Sequence, residues 1–296
     1  EKWLEKTATD SELQVNESDT QIHIKGREFA YTIDRRTALF TEMKFAGREY
    51  LNHPMELNIW RAPTDNDMYI KAEWKKAHYD KAYTRAYTTE VVQGKHGVKI
   101  VSHASVVAET VQKILDVTIT WKIDASGKID ADIEATKDGE FPDLPRFGVR
   151  MFLDKKLSDA RYFGMGPQES YRDKHQAASH GLYRANVRDL HEDYIRPQEN
   201  GSHYDCGYVE LNNSRYGIVA SAEKAFSFNA SYYTQEELEK KTHNYELIES
   251  DSVVFCVDYA LNGIGSNSCG PVVLEQYRFD DVLFRFQFTL IPYVKG

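Results

Sequence analysis

Two stretches near the C-terminal end decide the fold: SVVFCVDY at residues 252–259 and LFRFQFTL at residues 283–290. The first is rich in β-branched and aromatic residues, and the second alternates apolar with polar side chains, as a half-buried β-strand does. Between them, residues 263–271 read GIGSNSCGP. Three glycines, a proline and small polar residues predict a shaped loop between two strands, and loops on rigid β scaffolds commonly carry function.

The same alternation extends through most of the chain. Residues 21–33 predict a hairpin that turns at Lys25-Gly26-Arg27, and residues 39–50 predict a second hairpin that turns near Gly47. Further strands are predicted over residues 57–61, 98–102, 111–123, 128–135, 207–211, 216–222 and 226–230. The pattern is typical of a large all-β, antiparallel domain with one or two short helices.

Three segments depart from the alternation. Apolar residues at roughly helical spacing predict a helix from Lys71 to Tyr87. Thr234 followed three residues later by Glu237 predicts a short capped helix over 234–241. Residues 161–207 are rich in Gly, Pro, His, Tyr and acidic residues, which predicts a long irregular and functional segment.

The composition bounds the class of protein. The 296 residues are 41% hydrophobic and 28% charged, with a formal net charge of -9, which suits a large core and an acidic surface. This charge argues against a nucleic-acid binder, and no apolar run reaches the roughly 18 residues of a membrane span. We expect residues 1–20 to be a linker or the tail of a preceding domain, and residues 21–296 to be one domain.

Three cysteines, Cys206, Cys256 and Cys269, are too few and odd in number for a disulfide framework. Reduced thiols and a cytoplasmic location are therefore expected. The first residues lack the shape of a signal peptide, and no initiator Met is present, so the chain is expected to be an excised piece of a longer protein, with a separately encoded subunit as the alternative.

Metal and acid/base sites need separate consideration. The turn at residues 64–67, TDND, offers carboxylates for calcium, but it lacks the glycine and closing Glu of an EF-hand, so a structural turn is favoured. The histidines of the irregular segment lack zincin or zinc-finger spacing, and no metal site is predicted. A proton-transfer pair of His175 or His203 with Glu199 stays open beside the interpretation as surface histidines.

Cys269 could be a nucleophile or a lining residue of its loop. A catalytic thiol needs a base and a lowered pKa, and the turn at Gly270-Pro271 offers no helix N-terminus to stabilise a thiolate. A lining role is the favoured interpretation.

Five segments together resemble the C-terminal domain of bacterial β-galactosidases of glycoside hydrolase family 2, in the family's order and from about Gln21 to the end. They are WRAPTDND at 60–67, LPRFG at 144–148, YFGMGPQESY at 162–171 followed by Asp173, PQENG at 197–201, and GSNSCGP at 265–271. The resemblance implies a galactose-mutarotase-like β-supersandwich.

The resemblance also implies that this chain holds no catalytic residue. In the family, the two catalytic glutamates lie on a TIM-barrel domain and act with retention, and this chain has no βα alternation. No cofactor is expected here, since the family's Mg or Na ions belong mainly with the barrel. The implied partners are the barrel and immunoglobulin-like domains of the same polypeptide and, through them, a β-galactoside; a homo-oligomer is left open.

The loop at 265–271 is implied to lie on the leaving-sugar side of the active site. Where the best-known family member stacks a tryptophan on that sugar, this chain has Cys269, and the lost platform would weaken sugar binding by about 1 kcal/mol. Asn267 and Ser268 would hydrogen-bond sugar hydroxyls instead. The isolated chain is predicted to be inactive, with a mutarotase-like aldose epimerase and a carbohydrate-binding module as alternatives.

Overall fold

The computed structural model describes residues 13–94, 96–110, 113–265 and 272–295. Within them the chain forms mostly strands, with two short α-helices, α1 (Ile70–Lys76) and α2 (Gln235–Lys240). The strands are β1 (Gln14–Glu17), β2 (Gln21–Lys25), β3 (Phe29–Asp34), β4 (Leu39–Phe45), β5 (Arg48–Glu49), β6 (Leu51–Asn58), β7 (Tyr83–Gln93), β8 (Gly97–Val107), β9 (Leu115–Asp124), β10 (Ile129–Lys137), β11 (Arg146–Asp154), β12 (Asp159–Gly166), β13 (Ser179–Asn186), β14 (Ser202–Asn212), β15 (Tyr216–Ser231), β16 (Ser252–Leu261) and β17 (Leu283–Val294). The predicted all-β, antiparallel class is confirmed.

A five-stranded sheet runs in the order β1-β2-β3-β4-β5. The two predicted hairpins form most of it, and β1 pairs with β2 ahead of position 21, where the sequence pattern begins. One face packs on the larger sheet, where the rings of Phe40 and Trp121 lie 4.9 Å apart. The Trp121 indole N–H donates to the Ala38 carbonyl oxygen at 2.8 Å, so the contact between the sheets is polar as well as apolar.

The larger sheet follows the order β13-β12-β14-β15-β17-β10-β9-β8-β7, and β16, β11 and β6 branch from β15. Strand β15 pairs with β17 through Ser221 and with β16 from Ser227 onward. Between these parts, β15 has four residues, 222–225, where β14 has only Gly207. The extra residues form a large β-bulge. The two branches therefore diverge at this bulge and leave a groove between β16 and β17.

The helix predicted from Lys71 to Tyr87 is wrong in its extent. The α-helix ends at Lys76, and His78 has a left-handed backbone with φ of 58°. Tyr83 already belongs to β7, whose ladder with β8 supplies hydrogen bonds that a longer helix would forgo. The predicted helix near Thr234 is confirmed as α2, where the Thr234 hydroxyl accepts the Glu237 backbone N–H at 3.1 Å.

The prediction of an irregular segment over 161–207 is also wrong, because β12, β13 and the start of β14 lie within it. The inward positions of β12 include Gly164, where a Cβ would lie 2.3 Å from the Cys206 sulfur, so the apolar alternation is missing from the sequence. Strand β13 is an edge strand with no fully buried residue, and only Tyr183 and Ala185 pack partly against the core, so its apolar alternation is weak. The strands predicted at 216–222 and 226–230 are two parts of β15. Neither helix of the described residues has the length and apolarity of a membrane span.

Candidate functional site

Arg61, which follows β6, supports the backbone that leads into the loop. Its guanidinium is fully buried and donates to the carbonyl oxygens of Asn262 at 2.5 Å and Gly263 at 3.1 Å. It also donates to Asp67 Oδ1 at 2.7 Å. Because a buried guanidinium stays charged, the Asp67 carboxylate is its necessary counter-ion, and the pair joins residues 61–67 to the end of β16.

The turn at residues 64–67 is closed by Asp67. Its Oδ2 accepts the Thr64 backbone N–H at 2.8 Å, and its own N–H donates to the Thr64 carbonyl oxygen at 3.0 Å. Asp67 therefore caps a backbone N–H of this turn, as the sequence predicts for a structural turn. The residues that the structure describes contain no cluster of three His, Cys, Asp or Glu able to hold a metal.

Asp173 anchors the first part of the loop. Its carboxylate accepts the backbone N–H groups of Ile264 at 3.0 Å and Gly265 at 2.8 Å. A Cβ at Gly263 would lie 2.7 Å from this carboxylate, and Gly265 has φ of +73°, so both glycines are required by the approach. The Asn66 amide then donates to the Gly265 carbonyl oxygen at 3.0 Å.

Hydrogen bonds also hold the backbone that follows residues 266–271. The Arg172 guanidinium donates to the Arg278 carbonyl oxygen at 2.6 Å, and Arg278 Nε donates to the Val273 carbonyl oxygen at 2.9 Å. The Phe279 N–H donates to the Asn262 side-chain oxygen at 2.8 Å. Hydrogen bonds therefore fix both flanks of residues 266–271. The predicted loop residues Asn267, Ser268 and Cys269 lie outside the described residues.

A cluster of buried charged residues lies next to the residues that hold the flanks of the loop. Arg146 on β11 donates twice to Asp258 on β16, at 2.7 and 3.2 Å, and once to Glu199 at 3.4 Å. The Tyr171 hydroxyl donates to Glu199 at 3.5 Å. Room for the pair exists because residue 148 is glycine, where a Cβ would lie 2.5 Å from Asp258 Oδ1.

The charges of the cluster shift one another's pKa values. Burial alone would lower the pKa of Arg146, but Asp258 and Glu199 outweigh burial and hold it well above its usual range. Burial raises the pKa of Glu199, and the opposing charges of Arg146 and Arg61 do not cancel that effect. Burial likewise raises the pKa of Asp258, against the opposing charge of Arg146. The cluster therefore carries a fixed cation and two carboxylates whose ionised forms are disfavoured relative to water.

The predicted acid/base residues do not form a pair. Glu199 is committed to Arg146 and Tyr171, whereas Nδ1 of the buried His203 bonds the Met165 carbonyl oxygen at 3.2 Å. Burial lowers the pKa of His203 to about 4, so its ring is neutral. His175 bonds the Tyr171 carbonyl oxygen at 3.0 Å through Nδ1. Among the described residues, no hydrogen bond joins either histidine to Glu199.

The remaining described cysteines are buried and unpaired. Cys206 lies on β14 and Cys256 on β16. Burial raises the pKa of the Cys256 thiol to about 12 and that of Cys206 further, so neither is a reactive thiolate. The expectation of reduced thiols holds for these two.

The residues that build the site differ from those that the sequence singled out. Asp173, Arg61, Arg146 and Asp258 carry the contacts, and the first three lie in or beside the quoted motifs. Motifs that are up to about two hundred residues apart in the chain converge here, as the Arg61 bond to Gly263 shows. The charged residues within and beside these motifs were the available signal.

Fold and site together define an antiparallel β-sandwich domain in which buried charged residues hold both flanks of a loop. A family model described as "Beta galactosidase small chain" matches residues 25–290. The chain belongs to this family, as the sequence motifs implied.

Two relatives are similar in sequence along nearly the whole chain. The β-galactosidase of Actinobacillus pleuropneumoniae is 44% identical over 285 residues, covering 96% of this chain and 28% of that protein. The β-galactosidase of Staphylococcus xylosus is 32% identical, covering 98% of this chain and 29% of that protein. The chain thus spans less than a third of these relatives. A galactose 1-epimerase from Lactobacillus acidophilus NCFM superposes with a TM-score of 0.49 at 10% identity, covering 98% of this chain and 100% of that one.

Proposed function

We propose that this chain is a non-catalytic part of a β-galactosidase of glycoside hydrolase family 2 and completes the wall of an active site housed in a barrel domain. The whole enzyme would hydrolyse terminal β-D-galactosides with retention, using carboxylates that this chain does not supply. The barrel and immunoglobulin-like domains of the same polypeptide are its proposed partners, and any Mg or Na ion would belong to the barrel.

The observation that carries the proposal is the anchoring of both flanks of residues 266–271. Asp173 holds the residues before this segment, and Arg278 holds those after it. A loop that contributes to a sugar site has to be held in one position, because ordering it on binding would cost conformational entropy. The hydrogen bonds within this chain hold both ends of the segment.

The epimerase alternative is disfavoured by the same site. Proton transfer would need a histidine and a glutamate that face one ligand, and Glu199 is instead bonded to Arg146. The proposed location is the cytoplasm, and two buried, unpaired cysteines suit a reducing compartment.

The test is a chimera in which this chain replaces the matching region of the Actinobacillus pleuropneumoniae β-galactosidase, which is 44% identical to it. We expect the chimera to cleave a nitrophenyl β-galactoside, and both the truncated relative and this chain alone to be inactive. Turnover by the isolated chain, or a folded chimera without activity, would overturn the proposal.

The loop is tested separately by Cys269→Trp in the chimera. A stacking platform at this position should tighten binding of the leaving or acceptor sugar by about fivefold. Leu182→Trp, at an exposed position of β13, is the matched control. Unchanged kinetics with lactose for Cys269→Trp would show that the loop does not face the sugar.

A further inference from the structure

The groove at the fork of the larger sheet contains a cavity of about 220 Å³. Its walls come from β14, β15 and β16 and from three residues outside them, Tyr171, Arg172 and Asp281. Ala225 and Tyr259 also border a neighbouring cavity of about 450 Å³. The first cavity is small beside the ~300–1,000 Å³ of sites for larger ligands, so it suits one ring with an open extension.

Polar groups of three kinds converge on this cavity. Burial raises the pKa of Asp281, and the Arg172 guanidinium opposes that shift. Burial likewise raises the pKa of Tyr259, with Asp281 adding to the effect and Arg172 opposing it. Asp281, Arg172 and Tyr259 all line this cavity, so a carboxylate, a guanidinium and a phenol side chain border the same space.

These groups are largely free to bind a ligand. Within the described ranges, the Asp281 carboxylate and the hydroxyls of Tyr204 and Tyr259 have no hydrogen-bond partner in the protein. Arg172 uses one nitrogen for the Arg278 carbonyl oxygen, which fixes its side chain and leaves its other N–H groups. The wall thus offers an acceptor, a fixed donor and two groups that can do either.

The two tyrosine rings are held rigidly beside the polar wall. Tyr259 stacks on Phe284, with centroids 5.1 Å apart and planes 16° apart, and Tyr204 stacks on His175 at 5.7 Å. Both tyrosines are half-buried and line the cavity. Preorganised aromatic rings provide apolar contact area at low entropic cost.

We propose that this cavity binds a single neutral hexopyranose unit, with Tyr259 and Tyr204 packing on the sugar and Asp281 and Arg172 bonding its hydroxyls. A hexopyranose carries alternating hydroxyl and C–H groups, and these match a cavity wall that offers hydrogen-bond donors, acceptors and aromatic surface. An anion fits poorly, because Asp205 and Asp281 outnumber Arg172 at the wall. The proposal goes beyond completion of an active site and does not depend on it.

The test uses the purified chain in saturation-transfer NMR and calorimetric titrations with galactose, glucose and inorganic phosphate. A dissociation constant of about 1 mM for at least one of the two sugars, and no binding of phosphate, is expected. Asp281→Asn should weaken the sugar by about tenfold, and Tyr259→Ala should abolish binding.

Asp280→Asn is the matched control, because Asp280 is the exposed neighbour that does not line the cavity. It should bind sugar like the unmodified chain, and unfolding midpoints should be equal for both Asn variants. The proposal would be overturned if neither sugar bound, or if phosphate alone bound. It would also be overturned if Asp281→Asn and Asp280→Asn bound sugar with equal affinity.

Discussion

The carboxylate of Asp173 binds the backbone of Gly265, whose N–H donates to Oδ2 at 2.8 Å. The two residues are 92 positions apart in the chain. The other carboxylate oxygen accepts the Ile264 N–H at 3.0 Å, so one side chain satisfies two consecutive backbone donors. The entry to residues 266–271 is therefore set by a long-range contact.

Removing this anchor should loosen the flank of the loop. For Asp173→Ala we expect the free energy of unfolding to fall by about 2 kcal/mol, because two charge-assisted hydrogen bonds are lost. Amide hydrogen exchange at Ile264 and Gly265 should accelerate. Asp280→Ala, at an exposed position, is the control for loss of a carboxylate. Equal exchange rates in the two variants would show that Asp173 does not hold the loop.

Gly265 should tolerate a side chain less well than a glycine of similar backbone in open space. Gly265 and Gly47 have φ of +73° and +76°, but a Cβ at Gly265 lies 3.2 Å from Asn66 Cβ, whereas Gly47 has nothing within 4 Å. Gly47→Ala should cost about 1 kcal/mol, which is the left-handed backbone strain alone. Gly265→Ala should cost more in urea unfolding, and an equal cost would mean that the flank moves freely.

The two carboxylates around Arg146 should respond differently to neutralisation. Asp258→Asn should lower the free energy of unfolding by about 3 kcal/mol, since it removes the partner that accepts two bonds from a buried cation. For Glu199→Gln we expect a loss below about 1 kcal/mol. Glu199 accepts a single, longer bond from Arg146, at 3.4 Å, and the amide keeps an acceptor for Tyr171.

Denaturant unfolding of both variants at pH 7 measures this difference. A loss for Glu199→Gln as large as that for Asp258→Asn would contradict the unequal roles of the two carboxylates.

His203 should make the fold sensitive to acid. Burial lowers its pKa from 6.5 to about 4, so between these values the unfolded chain binds a proton that the folded chain does not. The contribution of the neutral His203 ring to the free energy of unfolding should therefore be fully present above about pH 6.5. It should fall by about 3 kcal/mol as the pH drops to 4. His203→Asn, which retains a donor for the Met165 carbonyl oxygen, should flatten this dependence.

His191 contributes a loss of the same sign, because burial also lowers its pKa, so the informative quantity is the difference between the unmodified chain and His203→Asn. The same substitution at the exposed His180 is the control. Parallel curves of unfolding free energy against pH for the chain and His203→Asn would refute the assignment to His203.

Alternation of side chains was sufficient to predict the strands that have one buried face. Residues 283–290 alternate throughout, and β17 spans them. The helix over 71–87 failed because apolar spacing cannot detect the left-handed residue His78. Strand β12 was missed because Gly164 stands where an apolar side chain would face inward, and it does so to admit Cys206.

The amino-acid order alone settled the antiparallel β class, the cap of α2 and the family, because these depend on local pattern and short motifs. Tertiary structure decided the site. Arg61 meets Asn262 and Asp173 meets Gly265 only after β-sheet pairing has brought distant segments to one edge. Which buried charges are paired, and whether Glu199 faces a histidine or an arginine, depends on distances across the fold. The sequence of residues 263–271 therefore predicts a loop between β16 and β17, but Arg61 and Asp173, which hold its first residues, are far away in the chain.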